Sequence, residues 1–212
     1  MASDRTQRKG KDKWKEKTWF VVSAPSYMGG KDILESLGNS PESMVGRKIE
    51  VPVSDLTGNF KKGTTKAIFR ISECQGTKCT SDFIGHYVSD DYVRRMVRRR
   101  KERIDVVSGF LTNDGYTISV KSVIVTDAKL TANKRSALRK TVKDHISSRL
   151  LQMSYHDACS YLIGDEIQNE LMASVKHIYP VKKLEIRKSE VVGRTQKQSI
   201  PASMDETSTV VA

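Results

Sequence analysis

The densest cluster of chemically active side chains is a run of cations between positions 94 and 103. It holds seven arginines and lysines in ten positions, and Glu102 is the one acid inside this run that opposes them. The arginine side chain is a planar fork that binds two phosphate oxygens through parallel hydrogen bonds. A solvated helix face is the alternative, but so many like charges repel one another without an anionic partner. We therefore predict RNA phosphate contacts for Arg94, Arg95, Arg98, Arg99, Arg100, Lys101 and Arg103.

Two further groups of cations lie later in the chain. Arg135, Arg139 and Lys143 recur at four-residue spacing, which puts them on one face of a helix. Lys182 and Lys183 begin a third, weaker group on a predicted strand. For both groups a merely soluble surface is the alternative. The RNA contacts predicted here are Lys134, Arg135, Arg139, Lys140, Lys143, Arg187 and Lys188.

Aromatic side chains are scarce around these cations. Trp14, Tyr87 and Tyr92 are the nearest candidates for stacking on unpaired bases, and Tyr92 is better suited to a core position. Recognition of the phosphate backbone and of RNA shape is therefore the predicted mode of binding.

The residues that support catalysis or metal binding are scattered. His86, His145, His156 and His177 match no HExxH spacing, and we expect structural roles for them. Gly29, Gly30 and Lys31 are followed by Asp32 and lack the earlier glycine of a phosphate-binding loop. No catalytic residue, metal or cofactor is predicted.

The three cysteines do not form a CxxC pair. Cys74 and Cys79 flank a predicted hairpin turn, where a disulfide or a zinc site is conceivable, but a closed zinc site needs about four ligands. An odd number of cysteines also argues against a secreted disulfide framework, so we predict reduced thiols for Cys74, Cys79 and Cys159.

Composition fits a partner that carries many negative charges. The chain has 212 residues, a net charge of +12 and 37% hydrophobic residues, so it is basic yet able to form a core. It contains neither an apolar leader nor an uninterrupted apolar stretch of about 18 residues. We expect a cytoplasmic protein that binds nucleic acid and no membrane.

Strand and helix patterns alternate along the chain and predict an α+β fold. Strands are predicted at 18–24, 47–53, 66–74, 78–87, 103–111, 116–125 and 181–192, and a short helical turn at 32–37. Helices are predicted at 89–101, 133–153, 154–163 and 165–178, with Ser89 as an N-cap. The strands predict an antiparallel sheet or a partly closed barrel, and closure is favoured because a flat sheet leaves unpaired edges. With the helices they predict an antiparallel β-barrel-like core with flanking helices, C-terminal helices and a final strand.

Three regions are predicted. A basic N-terminal arm spans 1–17, one domain spans 18–192, and a flexible tail spans 193–212. Within the domain, 18–126 is β-rich, and 127–192 is helical with a final strand.

Several segments in shared order resemble the archaeal and eukaryotic small-subunit ribosomal protein family called S-one-e, or S-three-Ae. The resemblance runs from about Lys13 to Val192. The segments that carry it are KTWFVVSAP at 17–25, GRKIEVPVSDLTGNF at 46–60, FIGHYVSDDYVRRMVRRRKERID at 83–105, DGYTISV at 114–120, KRSALRK at 134–140 and IYPVKKLEIRK at 178–188.

This resemblance implies a structural protein that is not an enzyme. It implies a barrel-like core docked on the platform of the small subunit, near the 3′ end of the ribosomal RNA and the messenger exit, where it supports subunit assembly and translation. The implied partners are ribosomal RNA, platform proteins such as S-eleven, messenger RNA and initiation factors. Short ends and the SYMGGKD loop at 26–32 depart from the eukaryotic pattern, so we expect an archaeal-like ribosome.

Two other classes of function also fit a basic surface. A nuclease or RNA-modifying enzyme would use it to hold substrate, although the sequence offers no convincing acid–base or metal cluster. A free DNA-binding or chromatin-like protein would use it on duplex DNA, which differs from RNA in shape and in lacking the 2′-hydroxyl.

Overall fold

The structure, a computed structural model, describes residue 14 and residues 17–194, except for the side chains of residues 61 and 194. Most of the predicted basic arm at 1–17 and nearly all of the predicted tail at 193–212 lie outside the described residues. The described part is α+β, as predicted. Its strands are β1 Thr18–Ser23, β2 Asp32–Gly38, β3 Lys48–Pro52, β4 Thr65–Gln75, β5 Lys78–Val88, β6 Glu102–Leu111, β7 Tyr116–Thr126 and β8 Val181–Arg194.

All eight strands belong to one sheet, which branches at β5. The main order is β2-β1-β5-β8-β7-β6, and β4 and β3 extend from β5 as a branch. β5 pairs with β1 near residue 79 and with β8 near residue 86, so two different strands share its length. The β1–β5 pair is parallel, and the other pairs are antiparallel. The sheet is not closed, so the predicted barrel-like closure is wrong. β6 ends the main order and packs against a helix instead of a further strand.

Both predicted hairpins are present. β4 and β5 are joined at Gly76, and β6 and β7 are joined through Thr112 to Gly115. Gly76 has a φ of +61° and Gly115 a φ of +80°, a backbone region that favours glycine. The glycines in these turns were therefore a reliable sign of where each hairpin reverses.

Two short segments differ from prediction. The segment predicted as a helical turn at 32–37 is strand β2, because it pairs antiparallel with β1 from Asp32 to Gly38. Hydrogen bonding to the neighbouring strand outweighs the helix propensity of Leu, Glu and Ser, because that propensity contributes little free energy per residue. The second segment, for which no helix was predicted, is helix α2, Val53–Thr57, which is followed by Gly58 with a φ of +72°.

In the described part of the chain, six α-helices accompany the sheet. α3 is shorter than predicted because Val97 is already extended, which leaves residues 98–101 in a turn. In α4, Ala132–Gln152, four apolar residues recur at four-residue spacing, and all of them are buried: Leu138, Val142, Ile146 and Leu150. No helix in the described part is both long and apolar enough to cross a membrane. The helices are α1 Pro41–Met44, α2 Val53–Thr57, α3 Asp90–Met96, α4 Ala132–Gln152, α5 Tyr155–Ile163 and α6 Glu166–Val175.

Two hydrophobic clusters form the core. The larger one joins β6, β7 and β8 to α4, α5 and α6, and the smaller one joins β1, β3, β4 and β5 to α1. α5 contributes to both, since Leu162 lies in the larger cluster and Cys159 in the smaller. This helix and the β5–β8 pairing connect the two halves of the fold.

A disulfide links Cys74 to Cys79 across the β4–β5 hairpin. The two residues are direct partners in the strand register, so their side chains lie on the same face. The prediction of reduced thiols is therefore wrong for this pair, and Cys159 is the free cysteine in the described part. Spacing alone could not decide between a disulfide and two thiols, because the register of the hairpin sets the distance.

We expect Gly85→Ala to reduce the free energy of unfolding by at least about 2 kcal/mol. A Cβ at Gly85 would lie 2.1 Å from the carbonyl oxygen of Ser189, so β5 and β8 would have to separate. Chemical denaturation measures the change. Gly109→Ala is the matched control, because its Cβ meets nothing closer than 3.9 Å. Equal stability of the two variants would contradict the close β5–β8 pairing.

Alkylation of the purified chain in denaturant should label one cysteine, Cys159, before reduction and three after it. The disulfide protects Cys74 and Cys79 from the reagent, whereas unfolding exposes Cys159. Intact mass spectrometry counts the labels. Three labels without a reductant would show that the pair is reduced in solution.

Candidate nucleic-acid interface

Helix α3 is attached to strand β8 through a tyrosine. The Tyr92 hydroxyl donates a hydrogen bond to Glu185 at 2.6 Å, and the ammonium of Lys183 lies 4.4 Å from the centre of the Tyr92 ring. Lys183 also pairs with Glu185 at 3.0 Å. Burial, together with the bond to Glu185, raises the pKa of Tyr92, so the hydroxyl remains a donor. Tyr92 is therefore a positioning residue for the helix and is not free to stack on a base.

The first turn of α3 is also paired with β8. Asp90 accepts a hydrogen bond from Arg187 at 3.0 Å. Asp90 and Asp91 lie at the N-terminus of the helix, where negative charge is favourable. Ser89 occupies the predicted N-cap position, but its side chain makes no capping hydrogen bond. These contacts fix the orientation of α3 on the sheet and therefore the direction in which its arginine side chains point.

The arginines after α3 lie in an exposed turn. Arg98, Arg99 and Arg100 are exposed, and Arg100 has a φ of +68°, the one positive value among the described residues other than glycine. The turn is closed by a hydrogen bond from the Lys101 amide to the Arg98 carbonyl at 3.2 Å. Within residues 17–194, neither these three guanidinium groups nor that of Arg94 forms an ion pair. Four cations thus face solvent together.

Asp127 is shared by two lysines at the base of this turn. Its carboxylate lies 3.3 Å from the ammonium of Lys101 and 3.9 Å from that of Lys182. The neighbouring Lys101 ammonium lowers the pKa of Lys182, and the positive charge of Arg98 acts in the same direction. One carboxylate therefore pairs with two lysines, which leaves an excess of positive charge beside the turn.

The start of α4 adjoins the same region. Arg135 pairs with Glu102 at 3.3 Å, and Glu102 also accepts a hydrogen bond from the backbone of Leu130. The ammonium of Lys134 lies 5.7 Å from the centre of the Tyr179 ring. Further along α4, three exposed cations have no acid partner within the described ranges: Arg139, Lys140 and Lys143.

These groups form what we call the basic surface. It comprises the cations around α3 and its turn, the first lysines of β8 and one face of α4. Its members are Arg94, Arg95, Arg98, Arg99, Arg100, Lys101, Lys134, Arg135, Arg139, Lys140, Lys143, Lys182 and Lys183.

Besides Lys101 and Arg135, three more cations predicted for RNA binding are engaged with acids of this chain. Arg103 pairs with Asp105 at 2.9 Å, Arg187 pairs with Asp90, and Lys188 pairs with Glu190. Conversely, Lys182 and Lys183 belong to the basic surface although the sequence favoured them only weakly. Lys182 and Lys183 join the basic surface because β8 pairs with the end of β7. No local sequence pattern predicts that pairing, so the sequence held no signal that would have favoured these two lysines more strongly.

Two of the histidines, His86 and His145, lie where other side chains of the fold already contact their rings. His86 is 2% exposed, and its Nδ1 lies 2.6 Å from the hydroxyl of Ser189. Burial lowers the pKa of His86 to about 4, so the ring is neutral at physiological pH. His145 lies 3.9 Å from Glu170 on the neighbouring helix. In the part of the chain that the structure describes, no three His, Cys, Asp or Glu side chains come together as a metal site.

Comparisons with known proteins agree with the resemblance found in the sequence. A model of the Ribosomal S3Ae family matches residues 5–195. The small ribosomal subunit protein eS1 of Thermoplasma acidophilum is 54% identical over 198 residues, which cover 93% of this chain and 92% of the relative. The protein of that name in Methanothermobacter thermautotrophicus is 32% identical over 192 residues, covering 91% of this chain and 98% of the relative. Both the match to the family model and this similarity along nearly the whole chain lead to one conclusion: the chain belongs to the Ribosomal S3Ae family.

Proposed function

We propose that this chain is a structural protein of the small ribosomal subunit and that its basic surface binds phosphates of the ribosomal RNA. The names of its relatives support the ribosomal role. The observation that carries the RNA contact is the sharing of Asp127 by Lys101 and Lys182 beside four arginines that lack an acid partner among the described residues. Cations in such excess are stabilised by an external polyanion, and binding releases the counterions of that polyanion.

The turn that follows α3 supports this proposal. A residue other than glycine in the left-handed region costs on the order of 1 kcal/mol, and Arg100 lies there. The turn that carries this free-energy cost presents adjacent guanidinium groups to solvent. Such a turn is suited to a ligand with closely spaced oxygens, which matches the sugar–phosphate backbone.

Shape and backbone recognition is the proposed mode. Tyr92, the aromatic side chain nearest the arginines in sequence, is held by Glu185 and Lys183. The phosphate contacts proposed for α3 and its turn come from Arg94, Arg95, Arg98, Arg99, Arg100, Lys101 and Arg103, and those for α4 and β8 from Lys134, Arg135, Arg139, Lys140, Lys143, Arg187 and Lys188. Arg103, Arg187 and Lys188 would have to exchange their acid partners for phosphate, so we expect smaller contributions from them.

The finer location is proposed from the family resemblance. We propose docking on the platform of the small subunit, near the 3′ end of the ribosomal RNA and the messenger exit. S-eleven would be a neighbouring protein, and messenger RNA and initiation factors would approach this surface. The protein would work in the cytoplasm on the ribosome. Its membership of a ribosomal protein family argues against the nuclease or RNA-modifying alternative.

Replacing Arg98, Arg99 and Arg100 by alanine should reduce the salt dependence of RNA binding. Each phosphate contact contributes roughly 0.7 to 0.9 to the slope of log affinity against log salt, so the slope should fall by about two. Binding to a structured fragment of small-subunit RNA is measured at several salt concentrations. An unchanged slope would exclude this turn from the interface.

A matched variant removes three other exposed cations, Lys48, Arg70 and Lys78, which lie on β3, β4 and β5. It has the same net charge as the arginine variant, so any general effect of charge is equal in the two. We expect its slope to stay close to that of the unchanged chain. Duplex DNA at the same salt tests the DNA-binding alternative, which requires binding at least as tight as to RNA.

In cells, the tagged chain should sediment with small ribosomal subunits through a salt-containing gradient, and the triple arginine variant should shift toward the soluble fractions. Ultraviolet crosslinks from the basic surface should map near the 3′ end of the small-subunit RNA. A purely soluble pool would contradict the ribosomal role. Crosslinks confined to another region of that RNA would contradict only the proposed location.

A further inference from the structure

A second candidate binding site lies at the far end of β7 from the basic surface. It is an open pocket of about 510 Å³ where β7 begins, next to the start of α5. β7 spans 11 residues, from Tyr116 in this pocket to Thr126 next to Asp127, which corresponds to roughly 33 Å of strand. RNA bound at the basic surface therefore need not reach it. The pocket is lined by Tyr27, Asp82, Asp114, Tyr116, Tyr155 and His156.

Four aromatic rings line the pocket. The rings of Tyr116 and Tyr155 are stacked with their centres 4.5 Å apart, and those of Tyr27 and His156 lie 4.2 Å apart. Tyr27 and Tyr155 meet edge to face at 6.4 Å. Stacked and edge-to-face contacts of this kind hold rings in defined positions. The pocket thus has a preorganised aromatic wall whose ring faces lie at angles to one another.

Hydrogen bonds to the backbone of β5 hold two of these rings. The Tyr155 hydroxyl donates to the carbonyl oxygen of Phe83 at 2.7 Å, and the Phe83 amide donates to the Tyr27 hydroxyl at 3.4 Å. Burial raises the pKa of Tyr27 to about 12, so this hydroxyl stays neutral. The negative charge of the pocket therefore comes from its two aspartates.

The two aspartates differ in what they already bind. Asp114 accepts a hydrogen bond from the Tyr155 amide at 2.7 Å through one oxygen. The carboxylate of Asp82 is exposed and forms neither a hydrogen bond nor an ion pair within residues 17–194, although Arg70 is its register partner on β4. In a chain with a net charge of +12, this pocket combines aromatic faces with two carboxylates.

We propose that this pocket binds the guanidinium group of an arginine in an extended basic segment of a partner protein. A guanidinium is planar and stacks on aromatic rings, and its N–H groups form charge-assisted hydrogen bonds with carboxylates. The same carboxylates repel phosphate, which disfavours a nucleotide. A lysine ammonium would satisfy the charge, but it is not planar and cannot stack on a ring face as a guanidinium does. The chain would thus contact RNA at one end of β7 and a basic protein segment at the other.

The test is an NMR titration of the full chain with the peptide Gly-Arg-Gly-Arg-Gly at low salt. We expect the peptide to shift the resonances of His156 and of the Asp82 amide. Replacing both arginines of the peptide by citrulline keeps their shape but removes their charge, and should abolish binding. A peptide with lysine in place of arginine should bind several-fold more weakly.

Asp82→Asn should weaken binding of the arginine peptide about tenfold, because a charge-assisted contact is lost. The exposed side chain makes no contact that folding requires, so the melting temperature should not change. Asp91→Asn, at the other end of the molecule on α3, removes the same charge and should leave binding unchanged. The titration does not involve the basic surface, so its outcome is independent of the proposed RNA contacts.

Three results would overturn the proposal. The first is equal affinity of the arginine and citrulline peptides, and the second is no loss of affinity in Asp82→Asn. The third is a short single-stranded RNA that shifts the His156 resonances more strongly than the peptide does, since the rings would then be a platform for bases.

Discussion

The pairing of β5 with β8 is the constraint on which the rest of the fold depends. It joins the two halves of the sheet through three register pairs, Gly85 with Glu190, His86 with Ser189 and Tyr87 with Lys188. β5 and β8 lie so close together at Gly85 that no residue with a Cβ atom fits there. His86 is buried at this junction, and burial lowers the pKa of its ring, so the ring that lies against the Ser189 hydroxyl is neutral. The two hydrophobic cores are thereby held against each other, with α5 packed into both.

That pairing also places the cations. α3 begins two residues after β5 ends, so the position of β5 beside β8 brings Tyr92 within reach of Glu185 and Asp90 within reach of Arg187. A few acids, chiefly Glu185, Asp127 and Glu102, then hold cations from three distant parts of the sequence close together. These acids are too few to neutralise the cations that they position. The result is a rigid base beneath a surface with excess positive charge.

The two ends of β7 differ in charge and therefore suit different kinds of partner. The end near Asp127 is crowded with cations, and the tyrosine of α3, Tyr92, is held there by Glu185, so this end suits phosphate oxygens. The end near Tyr116 combines aromatic rings with two carboxylates, which suits a planar cation. A structural protein inside a ribonucleoprotein needs both kinds of contact, because it must be held against RNA and against neighbouring proteins.

Periodicity, turn glycines, local charge and the order of motifs were enough to predict the α+β class, both hairpins, the long helix, the runs of cations and the family. The three-dimensional fold established that the sheet branches and stays open, that residues 32–38 form a strand, and that Cys74 faces Cys79. It also decided which cations already have acid partners, as Arg187 does with Asp90, and that three tyrosines and a histidine meet in one pocket. The physical reason is that all of these depend on pairings between residues far apart in the chain, and local patterns carry no information about which strand will lie beside which.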